Sequence, residues 1–184
     1  MTNATPIQDN GIDPKTPVVK EEIKPSWGVS AAYTRFIFAS ETSKSVYSSL
    51  NGFEAKVFYR EKRSELGVFC VNQYGDGDPI EYGNVPPGAT SHMRFFLIGL
   101  DSKVFVGKIF YFSLRTGYAT VKESLTAMNQ TGSASIDEWL LSPGVGLDIP
   151  TGDKFGLSAH VRYENFWVPA LNGWNFGGGI FIKF

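Results

Sequence analysis

The last eleven residues, Trp174 to Phe184, alternate so regularly that only an extended strand with two unlike faces accommodates them. Trp174, Phe176, Gly178, Ile180, Ile182 and Phe184 share one face, and Asn175, Gly177, Gly179, Phe181 and Lys183 share the other. A soluble sheet would turn the first face onto a core. A tilted strand of about 9–11 residues also crosses a bilayer, so the same pattern equally suits a face in contact with lipid. Which solvent that face meets decides what kind of protein this is.

The rest of the chain repeats the pattern. Period-two segments are expected over Trp27–Ala39, Phe53–Arg60, Leu66–Gln73, His92–Leu100, a stretch through Phe110–Tyr118, Trp139–Leu147 and Phe155–Trp167, with the terminal strand as the eighth. Clusters of Gly, Asn, Asp, Ser and Pro separate them, and no long helical period competes. Pro143 cannot donate a ladder bond, so a bulge or local break is expected there. Residues 1–25 carry four prolines among charged side chains and almost no aromatics. Such a composition buries too little apolar area to offset ordering, so these residues are read as a flexible tail and 26–184 as one domain.

Composition narrows the partners. Net charge is -1 and pI about 6.1, which sets aside nucleic acid and polybasic membrane association. The single cysteine, Cys70, excludes a disulfide framework and a cysteine-rich metal site. No apolar run approaches the roughly 20 residues of a membrane helix. Hydrophobic residues are 42% of the chain while mean hydropathy is only -0.11, so apolar side chains are interleaved with polar ones.

The links suggest a meander. They are expected to be long after the first, third, fifth and seventh strands (about 40–51, 75–91, 122–137 and 168–173) and short after the second, fourth and sixth, including Asp101-Ser-Lys103. An antiparallel sequence of eight strands with tight turns at one end and long loops at the other gives that alternation, as outer-membrane barrels do. The face opposite the apolar one collects Glu54, Lys56, Arg60, Arg115, Asp148, His160, Arg162, Glu164 and Lys183, expected to pair as a charged lumen. The apolar face collects Trp27, Tyr33, Tyr59, Trp139, Tyr163, Trp167 and Trp174 near strand ends, as membrane-interface girdles require. The expected fold is therefore an all-β, eight-stranded antiparallel up-and-down transmembrane barrel. A barrel of this size is filled by side chains and should not conduct appreciably.

The closing segment Trp174-Asn-Phe-Gly-Gly-Gly-Ile-Phe-Ile-Lys-Phe184 resembles the terminal strand of small bacterial outer-membrane barrels. Ser142-Pro-Gly-Val-Gly-Leu-Asp148 with Phe155 to Asn165 is similar to the penultimate hairpin of the OmpA-like and opacity-protein barrels. The resemblance implies a bacterial outer-membrane location with a periplasmic amino-terminus and a signal peptide removed from the native chain. It also implies outer-membrane lipids as solvent, and a barrel-assembly machinery that reads Phe176, Ile180, Ile182 and above all Phe184. Adhesion or envelope integrity, exercised through the long loops and any surface partner they hold, is the expected role, with no enzymatic activity and no cofactor or metal.

Two other readings stand beside it. A soluble lipocalin-like barrel binding an apolar ligand would turn the aromatic faces inward. An outer-membrane lipid-modifying hydrolase would use Ser158, His160 and Glu164 as nucleophile, base and orienter. These three fall on the charged face, where mutual ion pairing is the plainer account. Gly75-Asp-Gly-Asp-Pro79 spaces two carboxylates as calcium loops do but lacks the rest of that ligand set, so a solvated turn is expected. Gly177-Gly-Gly179 lies within a strand and is no phosphate cradle.

Overall fold

The computed structural model describes residues 25–79, 86 and 88–184. The expected tail, 1–25, lies outside them apart from Pro25. The described chain forms a closed barrel in which each strand pairs with its sequence neighbours and β1 closes onto β8. The strands are β1 (Ser26–Phe38), β2 (Leu50–Glu61), β3 (Ser64–Gly77), β4 (Thr90–Val106), β5 (Phe110–Ala127), β6 (Gln130–Pro150), β7 (Phe155–Phe166) and β8 (Gly173–Lys183). All pairings are antiparallel. A barrel leaves no open sheet edge along the closed wall, the condition for a β-structure to survive in lipid.

The alternation faces outward on its apolar side. On β8, Trp174, Phe176 and Ile180 are exposed, whereas Asn175 and Phe181 are buried. The lipocalin-like arrangement needs the reverse and is not the one adopted.

Two links differ from the sequence reading. Asp101, Ser102 and Lys103 are not a turn: β4 runs on to Val106, and the chain reverses at Gly107, whose φ of 78 suits glycine. Nor is 122–137 a loop. β5 and β6 continue as a two-stranded ribbon to a tight reversal at Met128 and Asn129, whose φ values of 49 and 60 are those of a type I′ hairpin turn. Both faces of this ribbon are wet, so nothing in it alternates. At Pro143 the pairing with β5 is continuous, but that with β7 skips from Leu141 to Gly144, a local break without a change of register.

The β1–β2 link contains a short helix, α1 (Glu41–Val46), and folds over the barrel mouth. Val46, Tyr47 and Leu50 are buried there among Phe36, Phe38, Phe95, Leu97, Leu140 and Phe166. The Tyr47 hydroxyl donates to Glu123 Oε1 at 2.6 Å and also bonds the Ser91 hydroxyl. Burying each such side chain contributes about 1.5–3 kcal/mol, so this apolar plug is a substantial part of the fold. The interior is therefore only partly polar, whereas the charges alone imply a packed polar lumen.

Candidate functional site

The interior has three tiers. A floor of Phe58, Phe105, Tyr111 and Phe181 lies at the short-turn end, the apolar plug lies at the other, and charges fill the middle. The inward positions of β2, β3, β4, β5, β6 and β7 each contribute to that middle tier because a strand of period two sends alternate residues to the lumen.

Glu54 is its centre. Arg115 Nη2 donates to Glu54 Oε1 at 2.8 Å, Arg162 Nη1 lies 3.5 Å from Oε2, and His160 Nε2 lies 3.9 Å from the same oxygen. Lys56 Nζ donates to Glu65 Oε1 at 2.6 Å and to Asp101 Oδ2 at 3.0 Å. Asp101 also stands 3.7 Å from Arg115 and 3.6 Å from Arg162. Arg60 Nε donates to Glu65 Oε2 at 2.8 Å, its Nη2 bonds Asp148, and its guanidinium rests on the Phe105 ring at 4.2 Å. Lys103 Nζ bonds Asp148 at 3.3 Å and sits 4.0 Å over Tyr111. The cations Lys56, Arg60, Lys103, Arg115 and Arg162 thus face the anions Glu54, Glu65, Asp101 and Asp148.

Three members of this network, Glu65, Asp101 and Lys103, are absent from the sequence-derived set. Conversely Lys183 is only half-buried, lies 5.8 Å from the Phe181 ring, and joins none of the described ion pairs. Small inward residues make the space. An added Cβ at Gly177 would stand 2.3 Å from the ring of His160, its cross-strand partner, and one at Gly144 would stand 2.5 Å from Cγ of Arg162, likewise its partner. Ser158, His160 and Glu164 do point inward, but His160 turns to Glu54 and Glu164 Oε1 accepts from Asn175 Nδ2 at 2.7 Å. That arrangement orients charge and does not assemble a nucleophile beside its base.

The outer wall is the second feature. Trp27 packs at a tilt against half-buried Tyr59, ring centroids 5.3 Å apart, toward the short-turn end. Toward the loop end Tyr33 meets Phe53 at 5.7 Å, Tyr118 meets Trp139 at 5.8 Å, and Tyr163 meets Trp174 at 5.1 Å. Trp167, expected on β7, lies just past it and is fully exposed. Between these pairs the outward residues are Val29, Val57, Val68, Ile98, Leu100, Leu114, Val145, Leu157 and Ile180. Phe176, Ile180, half-exposed Ile182 and Phe184 all lie on this wall. Asp76, taken for part of a turn, lies one residue before the end of β3 and bonds His92 Nδ1 at 2.8 Å.

The third feature is the part of β3 to β6 that stands beyond the aromatic pairs. β4 stays paired to β5 up to Thr90 and Thr126, and β5 to β6 up to Ala127 and Gln130. β6 meets β7 only from Leu140 onward, so 130–139 present one unpaired edge.

Fold and surfaces together define the class of small outer-membrane-type β-barrels: aliphatic between aromatic belts outside, ion-paired within. No family model matches the chain, and no curated protein is similar to it in sequence. Among solved structures it is similar to the outer membrane protein OprG from Pseudomonas aeruginosa, with TM-score 0.60 and 11% identity over 86% of this chain and 95% of that one. It is also similar to Ail, the attachment invasion locus protein of Yersinia pestis, solved with the heparin analogue sucrose octasulfate, with TM-score 0.58 and 11% identity over 87% and 97%. Neisserial surface protein A aligns with TM-score 0.53 and 14% identity over 88% and 99%. At identities this low, the structural overlap shows a shared fold alone.

Proposed function

We propose that the chain is a bacterial outer-membrane barrel with a sealed lumen that serves as a structural or surface-interaction protein, in the adhesion or envelope-integrity sense, and not as an enzyme or a pore. The observation that carries this is the inversion of the molecule. Trp139 is 64% exposed while Arg115 is 0% exposed. Water would favour the opposite arrangement and hydrocarbon favours this one, because a charge facing lipid costs several kcal/mol and an aromatic belt suits the headgroup level.

The sealed-lumen part is supported by the plug and by the pairing of the middle tier. The interaction part is supported by the projecting β3–β6 sheet and its free β6 edge, since unpaired edges accept an added strand. The start of β1, the end of β8 and the short turns share one end, which we assign to the periplasm. Outward Phe176, Ile180, Ile182 and Phe184 are assigned to recognition by the barrel-assembly machinery. An epitope inserted between Met128 and Asn129 should be reached by antibody on intact cells, while one in the tail should be reached only after permeabilisation. The reverse accessibility would overturn the topology.

A further inference from the structure

On the outer wall, at the loop-end rim, β4 and β5 set two cations against each other. Arg94 and Lys122 are direct cross-strand partners, and both are exposed. Directly opposed residues of an antiparallel pair hold their Cβ atoms about 4.5–5.5 Å apart, and like charges there repel. The nearby carboxylates are engaged elsewhere: Asp76 with His92 at 2.8 Å, and Asp137 with the Thr120 hydroxyl at 2.8 Å. Arg94 Nε donates to Asn72 Oδ1 at 2.7 Å, which orients the guanidinium and leaves its two terminal nitrogens for a further acceptor.

The position of the pair indicates which acceptor. The next outward residues on the same two strands toward the barrel wall are Phe96 on β4 and, past Thr120, Tyr118 on β5, each 41% exposed. Tyr118 is one of the loop-end aromatic pair with Trp139. The two cations therefore stand one step above Phe96 and two above the Tyr118–Trp139 pair, at the level of lipid headgroups. A phosphate there could bridge guanidinium and ammonium, while its acyl chains lie along Phe96, Ile98 and Tyr118. Such charge-assisted bonds to a guanidinium are strong and geometrically specific.

We infer that Arg94 and Lys122 form a binding site for the phosphate of a lipid headgroup in the leaflet at the loop end. This rests on the membrane reading above. Two observations favour the lipid over a free anion: the site is open outward and continuous with the apolar band, and among the described residues its two cations have no anionic partner.

The test uses the full chain refolded into phosphatidylcholine vesicles, with and without added phosphatidic acid, and reads the temperature at which the folded gel band is lost. Phosphatidic acid should raise that temperature for the unaltered protein. The double variant Arg94→Gln, Lys122→Gln should lose the rise and, in phosphatidylcholine alone, should be at least as stable as the parent because the repulsion is gone. Arg35→Gln, an exposed cation on β1 opposite Asn51 and Phe176, should keep the rise. An equal rise in the double variant would overturn the site, and an equal rise with inorganic phosphate in place of the lipid would overturn the lipid as its ligand. Failure of the parent to fold in phosphatidylcholine would instead overturn the membrane reading, and is seen before any phosphatidic acid is added.

Discussion

Arg115 on β5 reaches across the lumen to Glu54 on β2 at 2.8 Å, with the arginine side chain wholly buried. Two residues far apart in sequence thus neutralise each other where water cannot. Removing the Glu54 charge leaves buried Arg115 with only Asp101, at 3.7 Å, as an ion-pair partner among the described residues. Breaking a buried pair in this way costs about 3–5 kcal/mol, more than the net worth of the pair. Glu54→Gln should lower the stability of the refolded barrel by that amount in urea titration in vesicles. A loss under about 1 kcal/mol would show that the middle tier is not held as described.

Asp101 distinguishes the interior from a surface turn. In a solvated turn Asp101→Asn would stay within about 0.5 kcal/mol of the parent. Bonded to Lys56 at 3.0 Å and flanked by Arg115 and Arg162, it should instead cost several kcal/mol by the same unpairing. The same urea titration separates the two outcomes.

β6 carries its own internal control. Val145 is outward on the wall and 49% exposed, whereas Ser135 is outward on the ribbon above it. An arginine near the bilayer midplane costs about 2–4 kcal/mol, and one at the headgroup level, where Ser135 stands opposite Lys122, costs about 0–1 kcal/mol. Val145→Arg should therefore destabilise the barrel in vesicles by about that amount, and Ser135→Arg should not. Equal effects would remove the lipid boundary from between them.

The strand count, the inward and outward faces and most of the lumen charges were legible because a wall between two unlike solvents forces a period of two. Glu54, Arg115 and Arg162 stand out for that reason: each is a charge flanked by outward apolar or small residues. The reading failed where one of those conditions lapses. Asp101-Ser-Lys103 has the composition of a turn, and only the inward orientation of its two charges, with Val104 and Val106 continuing outward, marks it as strand. Glu65 was lost at a strand end beside the genuine turn at Lys62 and Arg63. The ribbon from Lys122 to Asp137 has water on both sides, so it has no alternation to read, and Met128-Asn129 is a less familiar hairpin turn than Asn-Gly. The apolar plug was hidden because Phe36, Phe38 and Leu50 sit at strand ends, where their inward direction depends on a helix-bearing link that closes over them.

The central claim is that the apolar wall meets lipid. The most direct measurement compares the purified chain with and without detergent and, in detergent, compares boiled with unboiled samples by gel electrophoresis. A membrane barrel should require detergent or lipid to stay monodisperse, and its unboiled form should migrate faster than the boiled one because the closed sheet resists unfolding. A chain that stays folded and monodisperse in water alone would contradict the account.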